Sequence, residues 1–272
     1  MQRKAWVIVA LILLCAAVAG YFLLLRQAEP PPLAEEFIPA QPAAAPPPAP
    51  APTLAEPAIA HPLASAATGA PLPGLEQSDA AIAEALRAVL GKEWKDILWP
   101  DTLIHNLVAT VDNLPRQYLP AKVVPLKRVP GAFITSGEGD ELSIDTANRE
   151  RYTAYVGLFE AVDSARLVAV YRQFYPLFQR AYVEIGYPNG YFNDRLVEAI
   201  DDLLAAPAPD EPIRLVRPRV LYCYADAPIE ALSAGQRIMI RIGSENAVRL
   251  KSKLREIRQN VAQDHAAAPS HR

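Results

Sequence analysis

Asp163-Ser-Ala-Arg-Leu-Val-Ala-Val-Tyr-Arg-Gln-Phe-Tyr-Pro-Leu-Phe-Gln-Arg-Ala-Tyr182 sets the fold class. Leu167, Tyr171, Phe174, Phe178 and Tyr182 recur at three- and four-residue spacing, which places them on one face of a helix. Asp163 or Ser164 supplies the N-cap, because a short side-chain oxygen there accepts from a backbone N–H that the helix leaves unpaired. Pro176 removes a backbone donor and predicts a kink. A stripe of aromatics serves a core, where each ring removes roughly 150 to 250 Å² from water, or lines a groove that stacks on sugars. The core reading is the simpler.

The flanking sequence repeats the helical pattern. Ile82, Leu86, Val89 and Leu90 predict a helix capped by Ser78 or Asp79 and stopped by Gly91. Pro100 and Asp101 open a second, with Leu103, Ile104, Leu107, Val108 and Val111 facing inward. Asp101 and His105, four apart, predict a surface pair on it. Tyr152, Tyr155, Val156 and Phe159 mark another helix. Gly186 to Asp194 is a turn cluster, with Asn193 as N-cap of a helix that turns Leu196, Val197, Ile200, Leu203 and Leu204 inward. From about Ser244 to Gln263, Ala247, Leu250, Leu254, Ile257 and Val261 form a heptad-like seam, a surface for the domain itself or for a second copy. Two short extended elements interrupt the helices: a hairpin across residues 133–144, and an edge strand over 213–224 broken at Pro218. The expected fold is mainly α, a helical domain with a short β-hairpin or edge strand.

The N-terminus reads differently. Ala5 to Leu25 is an apolar run of 21 residues, long enough to span a hydrocarbon core of about 30 Å. Arg3 and Lys4 precede it, and after Arg26 no Lys or Arg occurs until Arg87. The positive-inside rule therefore orients the N-terminus to the cytoplasm and the remainder outside. Between Ala28 and Pro73 stand 14 prolines among many alanines with few charges and no apolar period, the composition of a spacer that cannot offset its folding entropy. The expected organisation is an anchor (1–26), a disordered Pro/Ala-rich linker (27–74), a soluble helical domain (75–263) and a short tail (264–272). The membrane partner is engaged through residues 5–25.

Charge narrows the function classes. The net formal charge of −3 argues against a nucleic-acid binder. Residues 75–212 carry 13 positive and 21 negative charges, whereas residues 213–258 carry 10 positive and 4 negative. Cys15 falls in the apolar run, which leaves Cys223 alone in the domain and excludes an internal disulfide. His61, His105, His265 and His271 are scattered, and no zinc site assembles from that spacing. No catalytic set and no cofactor motif is legible. Candidate ligand or partner surfaces are the turn residues Tyr187, Asn189, Tyr191, Asn193 and Asp194, together with the basic positions Arg214, Arg217, Arg249 and Lys253. These point to a non-enzymatic module for a protein or peptidoglycan partner. The rival is a glycan-cleaving enzyme with Glu150, Glu160 or Glu198 as general acid in an aromatic cleft.

Three stretches, Val108-Ala-Thr-Val-Asp-Asn-Leu-Pro-Arg116, Gly186-Tyr-Pro-Asn-Gly-Tyr-Phe-Asn-Asp-Arg195 and Leu232-Ser-Ala-Gly-Gln236, are specific in combination. With them the chain resembles the proteobacterial family called domain of unknown function 3014, over about Leu75 to Val261. The resemblance implies an N-terminally anchored envelope protein of Gram-negative bacteria. It brings no catalytic residues, cofactor or substrate.

Overall fold

The computed structural model describes residues 58–63, 71–91, 97–218 and 220–262. The apolar run 5–25, most of the spacer and the tail lie outside the described residues, and so do the expectations made for them. Among the described residues no helix is long and apolar enough to cross a membrane. The elements are α1 (Asp79–Leu90), α2 (Leu103–Asn113), β1 (Thr135–Ser136), β2 (Ser143–Ile144), α3 (Asn148–Ala161), α4 (Ser164–Glu184), α5 (Phe192–Leu204), β3 (Leu215–Val216), β4 (Cys223–Tyr224), α6 (Ala227–Glu230), α7 (Ala234–Arg241) and α8 (Ser244–Ala262). The domain is mainly helical, as the periodicity requires.

α4 is the central helix, and it continues through Pro176 for 21 residues. Asp163 caps it by accepting from the Arg166 N–H at 3.0 Å, and that bond holds the Asp163 carboxyl below the ordinary carboxylate range. Phe174, Leu177, Phe178 and Tyr182 enter the main core with Ile82 and Leu86 of α1, Leu103, Ile104 and Val108 of α2, and Phe192 of α5. Phe178 stacks on Phe192 with ring centroids 5.8 Å apart. The aromatic stripe is core.

α8 lies against α3, α4 and α5. Its Leu254 and Val261, with Leu250 and Ile257 partly buried beside them, pack on Val168, Val197 and Ile200. The seam is filled from within the domain. The extended elements form two small antiparallel ladders: Thr135 opposite Ile144, and Leu215 opposite Tyr224. A bridge between Ser143 and Arg214 joins them. Leu215–Val216 and Cys223–Tyr224 are thus two short paired strands, not one interrupted edge strand, and Pro218, which lacks the N–H a continuous strand needs, falls between them.

Two local expectations are corrected. Ser78 gives its hydroxyl to the Leu75 carbonyl at 2.7 Å, and the Asp79 carboxylate reaches across to accept from the N–H groups of Thr102 (2.7 Å) and Leu103 (2.9 Å). Asp79 therefore caps α2 and not its own helix. His105 turns away from Asp101, with its Nε2 3.3 Å from Glu184 of α4, since packing brings α4 closer to that face than the preceding turn.

Candidate functional site: a polar cradle at the start of α5

The turn leading into α5 is fixed by one amide. Gln179 of α4 donates to the Gly190 carbonyl at 2.7 Å and accepts from the Phe192 N–H at 2.8 Å, satisfying groups that a helix start leaves unpaired. The Tyr175 hydroxyl donates to the same amide at 3.0 Å. Gly190 is required by space, because a Cβ there would stand 2.7 Å from the Tyr182 ring. Tyr182 itself stacks on Tyr187 at 4.5 Å between centroids.

Asp112 anchors the turn from below. It is buried at 5% exposure on α2 and accepts from Arg116 at 2.9 Å, Arg195 at 3.1 Å and the Tyr187 hydroxyl at 3.3 Å. Arg116 also donates to the Tyr187 hydroxyl. A buried carboxylate persists only with such partners, given the several kcal/mol its desolvation costs. Arg195 binds Glu198 as well, at 2.7 Å, so the cluster's charges balance. Residues 114–116 then meet α7: Ala234 N–H donates to the Arg116 carbonyl (2.6 Å) and Gly235 N–H to the Leu114 carbonyl (2.9 Å). A Cβ on Gly235 would lie 2.7 Å from Leu203. The three quoted stretches, far apart in sequence, converge on this one joint.

On the outer side of the joint the candidate residues form a cradle. Asp194, in the first turn of α5, accepts from two successive backbone N–H groups, Ala60 at 3.0 Å and His61 at 2.7 Å. The Tyr191 hydroxyl accepts from the Leu63 N–H at 2.8 Å. Asn193 donates to the His61 carbonyl at 2.8 Å and to the Val261 carbonyl at the end of α8 at 3.1 Å. It accepts from the Tyr171 hydroxyl at 3.1 Å. The bound segment, residues 58–63, is non-helical and bent at Ala60 and His61. It belongs to the stretch expected to be structureless, yet these six residues are held by the domain. What the cradle can do chemically is pair with main-chain donors and acceptors.

The sequence-predicted residues separate accordingly. Tyr187, Tyr191, Asn193 and Asp194 come together, while Asn189 is exposed on the turn. Asn193 is not the N-cap, which is Tyr191. It is fully buried at 0% exposure, because its amide bridges three groups of three segments. Arg214 and Arg217 sit on the β3–β4 hairpin, where Arg214 donates to the Asp140 carbonyl at 3.3 Å and Arg217 lies 5.3 Å from the Tyr222 ring centroid. Several cations of α8 are matched within the domain: Arg249 pairs with Glu160 at 3.0 Å, Lys253 donates to the Val162 carbonyl at 2.9 Å and pairs with Glu256 at 2.9 Å, and Arg258 pairs with Asp201 at 2.8 Å, while Arg255 is exposed. The matched cations hold α8 to its neighbours. The glutamates proposed as general acids do not face an aromatic cleft: Glu160 is tied to Arg249, Glu198 is a mostly exposed partner of Arg195, and Glu150 is exposed.

Glu76, His105 and Glu184 bring ligand atoms within 4.8 Å of one another, a grouping the histidine spacing alone does not show. They fit a cation poorly. Hydrogen bonds from Arg180 and then His105 hold the Glu184 carboxyl below its usual range, so it is already committed to a guanidinium.

The described residues form a mainly helical domain with a polar cradle at the start of α5. A family model described as a protein of unknown function, DUF3014, matches residues 103–258, more than half of the 272 residues, and the chain belongs to that family. No curated protein and no solved structure matches it.

Proposed function

We propose that this protein is a single-pass, membrane-anchored envelope module that binds a protein partner by the main chain of an irregular segment, at the cradle of Tyr191, Asn193 and Asp194. The observation that carries the reading is the set of four bonds to residues 60, 61 and 63, which engage backbone groups. Main-chain bonds supply affinity for a peptide and are indifferent to sugars, so the reading favours a protein ligand over a glycan. The apolar run of residues 5–25 and the charges flanking it support an inner-membrane anchor with the domain in the periplasm.

The test uses the full chain with residues 58–63 replaced by Gly and Ser, titrated with a fluorescent peptide of residues 56–66. Saturable binding is expected, weakened about ten-fold or more by Asp194→Asn, since a charge-assisted hydrogen bond contributes roughly 1.5 to 3 kcal/mol. Absence of saturable peptide binding, with sedimentation on peptidoglycan sacculi instead, would overturn it in favour of a cell-wall ligand.

A further inference from the structure

The segment in the cradle is held through its main chain at four points. Asp194 uses the N–H groups of residues 60 and 61, Asn193 the carbonyl of residue 61, and Tyr191 the N–H of residue 63. Nothing in this set requires an N–H at residue 62, which is proline and has none to offer. Proline there also biases His61 away from helical backbone, in keeping with the irregular path of the segment. Most of its side chains face solvent: Ala58, Ile59, Ala60 and Pro62 are exposed, and His61 and Leu63 are half-buried. A ligand read this way is recognised by where its backbone donors fall.

We infer that the cradle selects protein ligands by the register of their proline, accepting it at the place of Pro62 and refusing it at those of Ala60, His61 and Leu63, and that residues 58–63 are the resident ligand a partner must displace. This rests on the peptide-binding function proposed above. The partner's chemistry follows: an irregular, uncharged segment that presents two successive N–H groups, then proline, then another N–H. An acidic side chain beside the first two donors is disfavoured, because the Asp194 carboxylate already stands there. The resident segment enjoys the advantage of tethering, with an effective concentration on the order of millimolar for a short linker. A partner therefore competes at a disadvantage with the chain's own residues. Displacement frees residues 58–63 from the domain.

The experiment compares two full-length chains, wild type and the Gly/Ser replacement of residues 58–63, against labelled peptides of residues 56–66. In the peptide, Ala60→Pro, His61→Pro and Leu63→Pro each remove a donor that the cradle uses, and each is expected to weaken binding more than about ten-fold. Pro62→Ala is expected to change it by less than about three-fold. The wild-type chain is expected to bind the parent peptide at least about ten-fold more weakly than the replaced chain. Equal losses at all four positions overturn the register rule, and equal binding by the two chains overturns the displacement, while either leaves the peptide-binding function standing. No binding by a folded replacement chain removes that function and this inference with it. Should the replacement fail to fold, Leu63→Pro in the full chain removes the N–H given to Tyr191 and leaves every residue of the cradle in place. A rise in peptide affinity is then expected, and its absence overturns the displacement.

Discussion

The start of α5 and the face of α8 both carry polar side chains that the sequence offers to a partner, and the structure arranges them in opposite ways. On α8 the cations are numerous, yet Arg249, Lys253 and Arg258 are each matched by a group from α3, α4, α5 or the α3–α4 turn, or by α8's own Glu256. At the start of α5 the residues are fewer and mostly uncharged, yet their polar atoms converge on one segment of backbone. The difference teaches that a count of charges along a helix says little about free charge. Long basic side chains seek carboxylates and carbonyls within reach, whereas amides and hydroxyls fixed by a second layer stay aimed.

That second layer is where the contrast breaks most easily. Asp112→Ala removes the buried carboxylate that the mostly buried Arg195 and the half-exposed Arg116 share, and a loss of about 3 to 5 kcal/mol is expected from urea denaturation. A loss below about 1 kcal/mol would show that the cradle does not rest on Asp112. Alkaline pH probes two buried tyrosines, Tyr171 beneath the cradle and Tyr224 on β4. Burial pushes the Tyr171 and Tyr224 hydroxyls up from their ordinary value. A raised folded value means that their stabilisation is complete below about pH 10 and is lost as pH rises beyond it, by about 1.4 kcal/mol per pH unit for each tyrosine. Urea midpoints measured from pH 8 to 12 check this, and a flat profile contradicts it.

Asn193→Ala strands the Tyr171 hydroxyl and the Val261 carbonyl, so a loss of about 1 to 3 kcal/mol is expected in the same denaturation experiment, with weaker peptide binding. The corresponding change on α8 sharpens the comparison. Arg249→Ala breaks a partly exposed pair with Glu160 and is expected to cost no more than about 1 kcal/mol, leaving peptide affinity unchanged. An equal effect of the two variants on affinity would erase the distinction between the regions.

Much of the helical frame was legible because its cause is local. The three- and four-residue spacing from Leu167 to Tyr182, and the cap at Asp163, are readable without tertiary knowledge. The turn at residues 186–194 was legible as a binding candidate, since two aromatics and two amides at a helix start are an unusual set. Its foundation was not. Asp112 follows Ile104 and Val108 at four-residue spacing on the buried face of α2, and a carboxylate on an apolar stripe is the one signal that could have found it. Arg116 and Arg195 carry no such mark, because their pairing depends on how α2 and α5 meet. The crossing of Asp79 to α2, and of residues 60–63 to α5, are likewise contacts between segments that spacing along the chain does not encode.

The most direct test of main-chain capture is amide hydrogen exchange at Ala60, His61 and Leu63, followed by NMR in the wild-type chain and in Asp194→Asn. Capture predicts slowed exchange at all three amides in the wild type and, in the variant, near-free rates at Ala60 and His61 with the folded core unchanged. Free-chain exchange at these amides in the wild type would contradict it.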